Sequence, residues 1–129
     1  MLDSNILISI AIFDSEQLGN LLENICQNHQ LVISSTIIDE INNVMERKFP
    51  DKQYAMEKFL YKIPYEYVYI SDNMINKQKI KIRDPNDIPI LYSAIITNVD
   101  IFITGDKDFE NLHIERPEIL KPLEFLNKY

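Results

Sequence analysis

Glycine and cysteine are nearly absent from this chain, and each scarcity removes a class of chemistry. Two glycines in 129 residues leave no glycine-rich phosphate loop and no strand–turn–helix motif of the Gly-x-Ser-x-Gly kind. Cys26 is the only cysteine, so no internal disulfide forms and no paired-cysteine metal site exists; this fits a reducing cytoplasm. Its place on an amphipathic stretch reads as packing rather than nucleophile. The two histidines, His29 and His113, stand far apart without ligand spacing, which argues against a histidine-based metal site or base. Basic charge is also short, with 13 Lys and Arg against 20 Asp and Glu for a net −7. That balance speaks against a purely electrostatic nucleic-acid binder, so a polyanionic substrate would need positive charge from bound metal ions or a basic partner chain. The apolar run Ile6–Phe13 is broken by Ser9 and is far short of the roughly 20 residues that cross a bilayer. With no basic leader or small-residue cleavage site, it does not read as a signal peptide, and the expected location is cytoplasmic.

What remains suits one domain over residues 1–129. The chain is 46% hydrophobic and 26% charged, enough to bury a core. Leu18, Leu21, Leu22 and Ile25 recur at helical spacing between Asp14 and Asn28, with Asp14 or Ser15 as cap. Leu31–Ser34 is a short β-rich run. Thr36 and Asp39 form a capping-box pattern for a helix containing Ile37, Ile38, Ile41, Val44 and Met45, separated by Pro50 from another around Tyr54, Phe59 and Leu60. Tyr67–Ile70 and Ile101–Ile103 read as strands, Glu118–Leu120 as a last edge strand, and Pro122 as the first turn of a terminal helix. Strands alternating with helices of this length indicate α/β with a mostly parallel sheet, and in such sheets chemistry collects outside the carboxyl ends of the strands.

The segment RDPNDIPILYSAII places two aspartates before an apolar helix. Pro89 lacks an N–H and belongs in the first helical turn, so the cap falls near Asn86 or Asp87 and Asp84-Pro85 is the turn leading in. Asp87 shares a helical face with Leu91 and Ala94. Periodicity leaves capping residue and cleft carboxylate level for Asp87, and favours a plain turn for Asp84. On the preceding helix Glu40 borders the apolar stripe, whereas Asp39 points away; facing a cleft and covering the rim are equally open for Glu40. Asp106 and Asp108 follow the buried run IFI in ITGDKDF, where a Gly-Asp turn is the ordinary reading of either alone. Asp3, in MLDSN, by itself is a frayed terminus. Together these acids would gather at one end of one sheet, a costly arrangement unless cations are bound. All-oxygen ligands imply Mg²⁺ or Mn²⁺ rather than zinc. The basic run Lys77, Lys79, Lys81 and Arg83 can hold an RNA backbone, but reads better as a solvated edge. Lys107, between the acids, is better placed for a phosphate.

LDSNILIS, SSTIIDEI, RDPNDIPILYSAI, DIFITGDKDF and ILKPLEFL occur in an order and spacing that resemble the PIN-domain family over nearly the whole chain. The resemblance implies a three-layer α/β/α nuclease with a central, mostly parallel, twisted sheet. It places the acids on Asp3, Glu40, Asp87 and Asp106, the supporting polar positions on Asn5 and Thr104, and an auxiliary acid on Asp108. It also tips Asp87 toward metal ligand. The nearest flavour is the toxin of a bacterial toxin–antitoxin pair. That implies metal-dependent cleavage of RNA, a cognate antitoxin as partner and homodimerisation. One departure stands out: only Met1 and Leu2 precede Asp3, so the first strand is very short or the natural start lies upstream. A rival parse makes Asn5–Phe13 the strand. An RNA-processing nuclease outside any toxin–antitoxin pair is the alternative within the same family. Two other classes compete, a non-catalytic metal-, RNA- or protein-binding module and a phosphotransfer or phosphatase domain; MLDSN lacks the Asp-x-Asp signature of one group of the latter.

Overall fold

The computed structural model describes residues 1–76, 88–110, 112 and 114–129. Within them the expected alternation holds. Helix α1 (Ser4–Ile12) and helix α2 (Glu16–Asn28) lead to strand β1 (Val32–Ser34), helix α3 (Ser35–Lys48), a 3₁₀ turn at Pro50–Lys52 and helix α4 (Gln53–Lys62). Strand β2 (Glu66–Val68) and helix α5 (Asp72–Asn76) follow. Helix α6 (Ile88–Ile96), strand β3 (Ile101–Ile103), a 3₁₀ turn at Lys107–Phe109, strand β4 (Glu118–Leu120) and helix α7 (Pro122–Lys128) complete the chain. No described helix is long and apolar enough to cross a membrane.

All described ladders are parallel. β1 pairs with β2, Ser34 opposite Val68, and β3 pairs with β4, Ile103 opposite Leu120. The amino-terminal residues extend the second pair. Ile103 N–H donates to Met1 O and Asp3 N–H to Ile103 O, each at 2.9 Å, so Leu2 lies opposite Ile103. The first strand is thus one bridge long, and the run after Asp3 is helix α1, which rules out the rival strand parse. A parallel register with Leu2 opposite Ile103 puts Asp3 level with Thr104. Leu2, Ile33 and Phe102, all fully buried, centre the core, closed by Leu7, Leu21, Ile37, Ile41 and Leu91 from the helices.

Two local features depart from the sequence reading, each for a physical reason, and one open alternative is decided. The capping box at Thr36 and Asp39 does not open α3. Ser34 Oγ accepts Ile37 N–H at 3.2 Å, which satisfies a first-turn donor and starts the helix at Ser35. The second strand ends at Val68 rather than Ile70, because Ile70 N–H donates instead to Ser35 Oγ at 2.8 Å. Of the two caps open for α2, Ser15 is the one used, its Oγ accepting Leu18 N–H at 3.4 Å. Pro122 does open α7, and Pro89 lies in the first turn of α6. At its far end α6 closes in a left-handed residue, Asn98 with φ 57°. Val99 N–H reaches Ala94 O and Asn98 N–H reaches Ile95 O, the paired bonds that satisfy final-turn carbonyls.

Candidate active site

Helices α1, α3 and α7 all begin where a parallel strand ends, so their N-termini lie at the carboxyl ends of the two described ladders, β1–β2 and β3–β4 with the Leu2 bridge. Asp3 sits there as the residue between the Leu2 bridge and α1. Its backbone is extended (φ −61°, ψ 150°) and its carboxylate does not cap the helix. It is 4% exposed. Thr104 Oγ donates to Asp3 Oδ2 at 2.7 Å, and Ser4 Oγ donates to Oδ1 at 3.3 Å. Thr104 is itself buried, and its oxygen accepts Asp106 N–H at 3.1 Å. Asp106, half-buried, accepts Asp108 N–H on Oδ1 at 2.9 Å, which folds the following turn back over the site.

Burial pushes the Asp3 carboxyl above its ordinary 3.8. The hydrogen bonds from Thr104 and Ser4 work in the opposite direction, and the neighbouring Asp106 carboxylate pushes further up. A desolvated acid beside a second acid, ringed by oxygen donors, suits a hard divalent cation, which would offset both penalties. The donor set therefore fits Mg²⁺ or Mn²⁺ in kind. Among the described residues, however, no three Asp, Glu, His or Cys side chains come together as a metal-holding group.

The eight residues singled out from sequence divide clearly. Asp3, Thr104, Asp106 and Asp108 form one connected network. Glu40 is half-buried and Asp39 exposed, as periodicity indicates, but Glu40 forms no three-residue metal-holding group with Asp3 and Asp106; it lies on α3, a helix that packs against α1 and α6. Asn5 is on the exposed side of α1 and takes no part in the network; Lys107 is exposed. Asp87 lies outside the described residues, as do Asp84, Lys77, Lys79, Lys81, Arg83 and His113. Burial raises the Cys26 thiol pKa, in keeping with packing rather than reactivity. Ser4 escaped the sequence reading. Its hydroxyl in a run of apolar residues, directly after the aspartate, was the available signal.

A cleft of about 810 Å³ opens beside Thr104 and Asp106 and runs past Glu110, Glu118, Lys121 and Glu124. Asp106 lines it; Asp3 lies beneath the floor, reached through Thr104.

The family model described as PIN domain matches residues 1–108. Among solved structures, the crystal structure of VapBC2 from Rickettsia felis, bound to a DNA fragment from its promoter, superposes with a TM-score of 0.68. The match has 22% identity and covers 94% of this chain and 96% of that one. No curated protein matches the chain.

Proposed function

The chain belongs to the PIN-domain family, and from that membership we propose that residues 1–129 form a single metal-dependent endoribonuclease domain, the toxin of a toxin–antitoxin pair. The observation that carries this reading is the buried Asp3 carboxylate, held by Thr104 and pressed electrostatically by Asp106. Such a pair is unfavourable as it stands, and a divalent ion held by the carboxylates would offset that cost.

In this mechanism Asp3 and Asp106 would hold the ion, with Glu40 and Asp87 as the further proposed ligands and Asp108 as an auxiliary acid. Mg²⁺ or Mn²⁺, once bound, supplies a more acidic water and neutralises charge on the phosphoryl oxygens. Thr104 fixes the Asp3 carboxylate by its 2.7 Å bond to Oδ2, with Ser4 Oγ at 3.3 Å from Oδ1. The Asp108 N–H fixes Asp106 likewise. Lys107, exposed beside Asp106, would meet an RNA phosphate and supply positive charge in a chain whose net charge is −7. Asn5, exposed in the first turn of α1, would be a supporting polar group. A basic antitoxin segment suits the net charge of −7, and the similarly folded Rickettsia felis structure is that of VapBC2 on promoter DNA. Homodimerisation and a cytoplasmic setting belong to the same proposal.

The second reading, a non-catalytic acidic module, is favoured by one observation: among the described residues no three Asp, Glu, His or Cys side chains come together as a metal-holding group. Cleavage of a structured RNA with Mg²⁺ or Mn²⁺, by wild type and by Asp106→Asn, separates the two. Wild-type cleavage that chelation abolishes and Asp106→Asn lacks is the expected result. No cleavage with either ion, or equal cleavage by both proteins, overturns the nuclease reading.

A further inference from the structure

Two buried hydroxyls outside the acidic network form a connection between the helices that flank it. Ser34 and Ser93, both fully buried, are 59 residues apart in the chain, and Ser34 Oγ lies 2.9 Å from Ser93 Oγ. The bond directions follow from the partners. Ile90 O only accepts, so Ser93 Oγ, 2.8 Å away, donates to it. Ser93 has then used its one proton, so Ser34 donates to Ser93. Ser34 in turn keeps a lone pair for Ile37 N–H at 3.2 Å. The result is a one-way chain from the third residue of α3, through two hydroxyls, to the third residue of α6.

We propose that Ser34 and Ser93 are positioning residues for the nuclease site, tying the first turn of α3 to the first turn of α6. The proposal rests on the nuclease reading above and adds to it the device that sets the spacing of its parts. Ser34 ends β1 and caps α3, the helix that carries Glu40. Ser93 Oγ also lies 3.9 Å from Met1 Sδ, and Met1 is in the ladder two residues before Asp3. One hydroxyl pair therefore touches the element before Asp3, the helix carrying Glu40, and α6. Its neighbours Leu91 and Ala94 are fully buried, so alanine would fill position 93 without the cost of desolvating a hydroxyl. An apolar contact there would let the helices slide against each other, whereas a fully satisfied directional chain fixes their separation.

The test is Mn²⁺ titration of the full chain alongside RNA cleavage, for wild type, Ser34→Ala, Ser93→Ala, the double variant and Ser34→Thr. Each alanine variant should bind Mn²⁺ about tenfold more weakly, the size of one lost buried hydrogen bond. The double variant should lose no further Mn²⁺ affinity, because either single already removes the Ser34–Ser93 bond that links the two helices. Ser34→Thr keeps both the capping oxygen and the donor and should stay within about twofold of wild type. Ser93→Cys, close in volume and a poor donor, should reproduce the loss and serves where the alanine variant does not fold. Met56→Ala, a buried truncation in α4, should lower the melting temperature while leaving Mn²⁺ affinity intact. Wild-type affinity in Ser93→Ala or Ser93→Cys, or losses that add in the double variant, overturns the positioning role alone. A wild type that neither binds Mn²⁺ nor cleaves RNA overturns the nuclease reading and this one with it.

Discussion

Thr104 Oγ lies 2.7 Å from Asp3 Oδ2 although the two residues are 101 positions apart, because the parallel register that sets Leu2 opposite Ile103 sets their successors side by side. The same threonine oxygen accepts Asp106 N–H, so one side chain aligns both carboxylates. Thr104→Val, which keeps the shape and removes the hydroxyl, leaves a buried carboxylate short of a donor. Urea unfolding should show a loss of about 1.5–3 kcal/mol, the range for a hydrogen bond to a charged group. RNA cleavage should fall with it, and Thr104→Ser should restore most of both. An unchanged unfolding midpoint in Thr104→Val would show that the bond contributes nothing.

The raised Asp3 pKa makes stability depend on pH in a definite sense. The folded protein holds the Asp3 proton to higher pH than the unfolded chain does, so between 3.8 and the raised value it binds more protons than the unfolded chain. Stability from this group therefore falls as pH rises through that window, and the cost remains at neutral pH. Asp3→Asn removes it. Without metal, the variant should melt higher than wild type at pH 7, and the gap should close as pH falls below 3.8. Thermal melts at stepped pH measure this, and a variant that melts lower at pH 7 refutes the sign.

Much of this arrangement could be read along the chain, for reasons that differ by element. Pro89 and Pro122 each marked a first helical turn, because a residue without an N–H has few other comfortable places. Asp39 and Glu40 separated correctly by helical phase, exposed and half-buried. The start of α3 was misread because Thr36 and Asp39 satisfy a local rule, while the winning cap, Ser34, also bonds to Ser93 across 59 residues. Tyr69 and Ile70 continue a β-rich run, yet Ser35 captures the Ile70 backbone. Pattern rules see neighbours in sequence; Ser34 and Ser93 owe their roles to each other, brought together by the fold across 59 residues.

Divalent metal should stabilise the wild type in proportion to its occupancy. At 100 times the dissociation constant the gain is about 2.7 kcal/mol, visible as a higher melting temperature that chelation reverses. Asp3→Asn and Asp106→Asn should lose this response, while an equal ionic strength of NaCl should produce none in any variant. A metal shift that survives in Asp106→Asn would place the ion elsewhere.

Asn98 provides a test of the fold independent of the site. With φ 57° it occupies the left-handed region that ends α6, and its exposed side chain has little packing to lose. Asn98→Gly should be neutral or slightly stabilising, and Asn98→Val should cost about 1–2 kcal/mol in unfolding experiments. RNA cleavage should be unaffected by either; equal stability of the glycine and valine variants would contradict the left-handed turn.

Glu40 and Asp39 are adjacent acids with the same charge, so substituting each in turn separates the field of the protein from the geometry of the site. Glu40→Gln and Asp39→Asn both raise the net charge by one unit, and long-range attraction of RNA should change equally in the two. Only Glu40 borders the apolar stripe of α3, and that helix is held to α6 by the Ser34–Ser93 chain. Glu40→Gln should therefore reduce cleavage by roughly 10- to 100-fold, the range seen when a metal site loses one supporting group. Asp39→Asn, a change at an exposed position, should remain within about twofold and leave stability within about 0.5 kcal/mol. Cleavage rates under single-turnover conditions separate the outcomes. Equal losses in the two variants would mean that α3 contributes only charge, and Glu40 would then have no place beside Asp3 and Asp106.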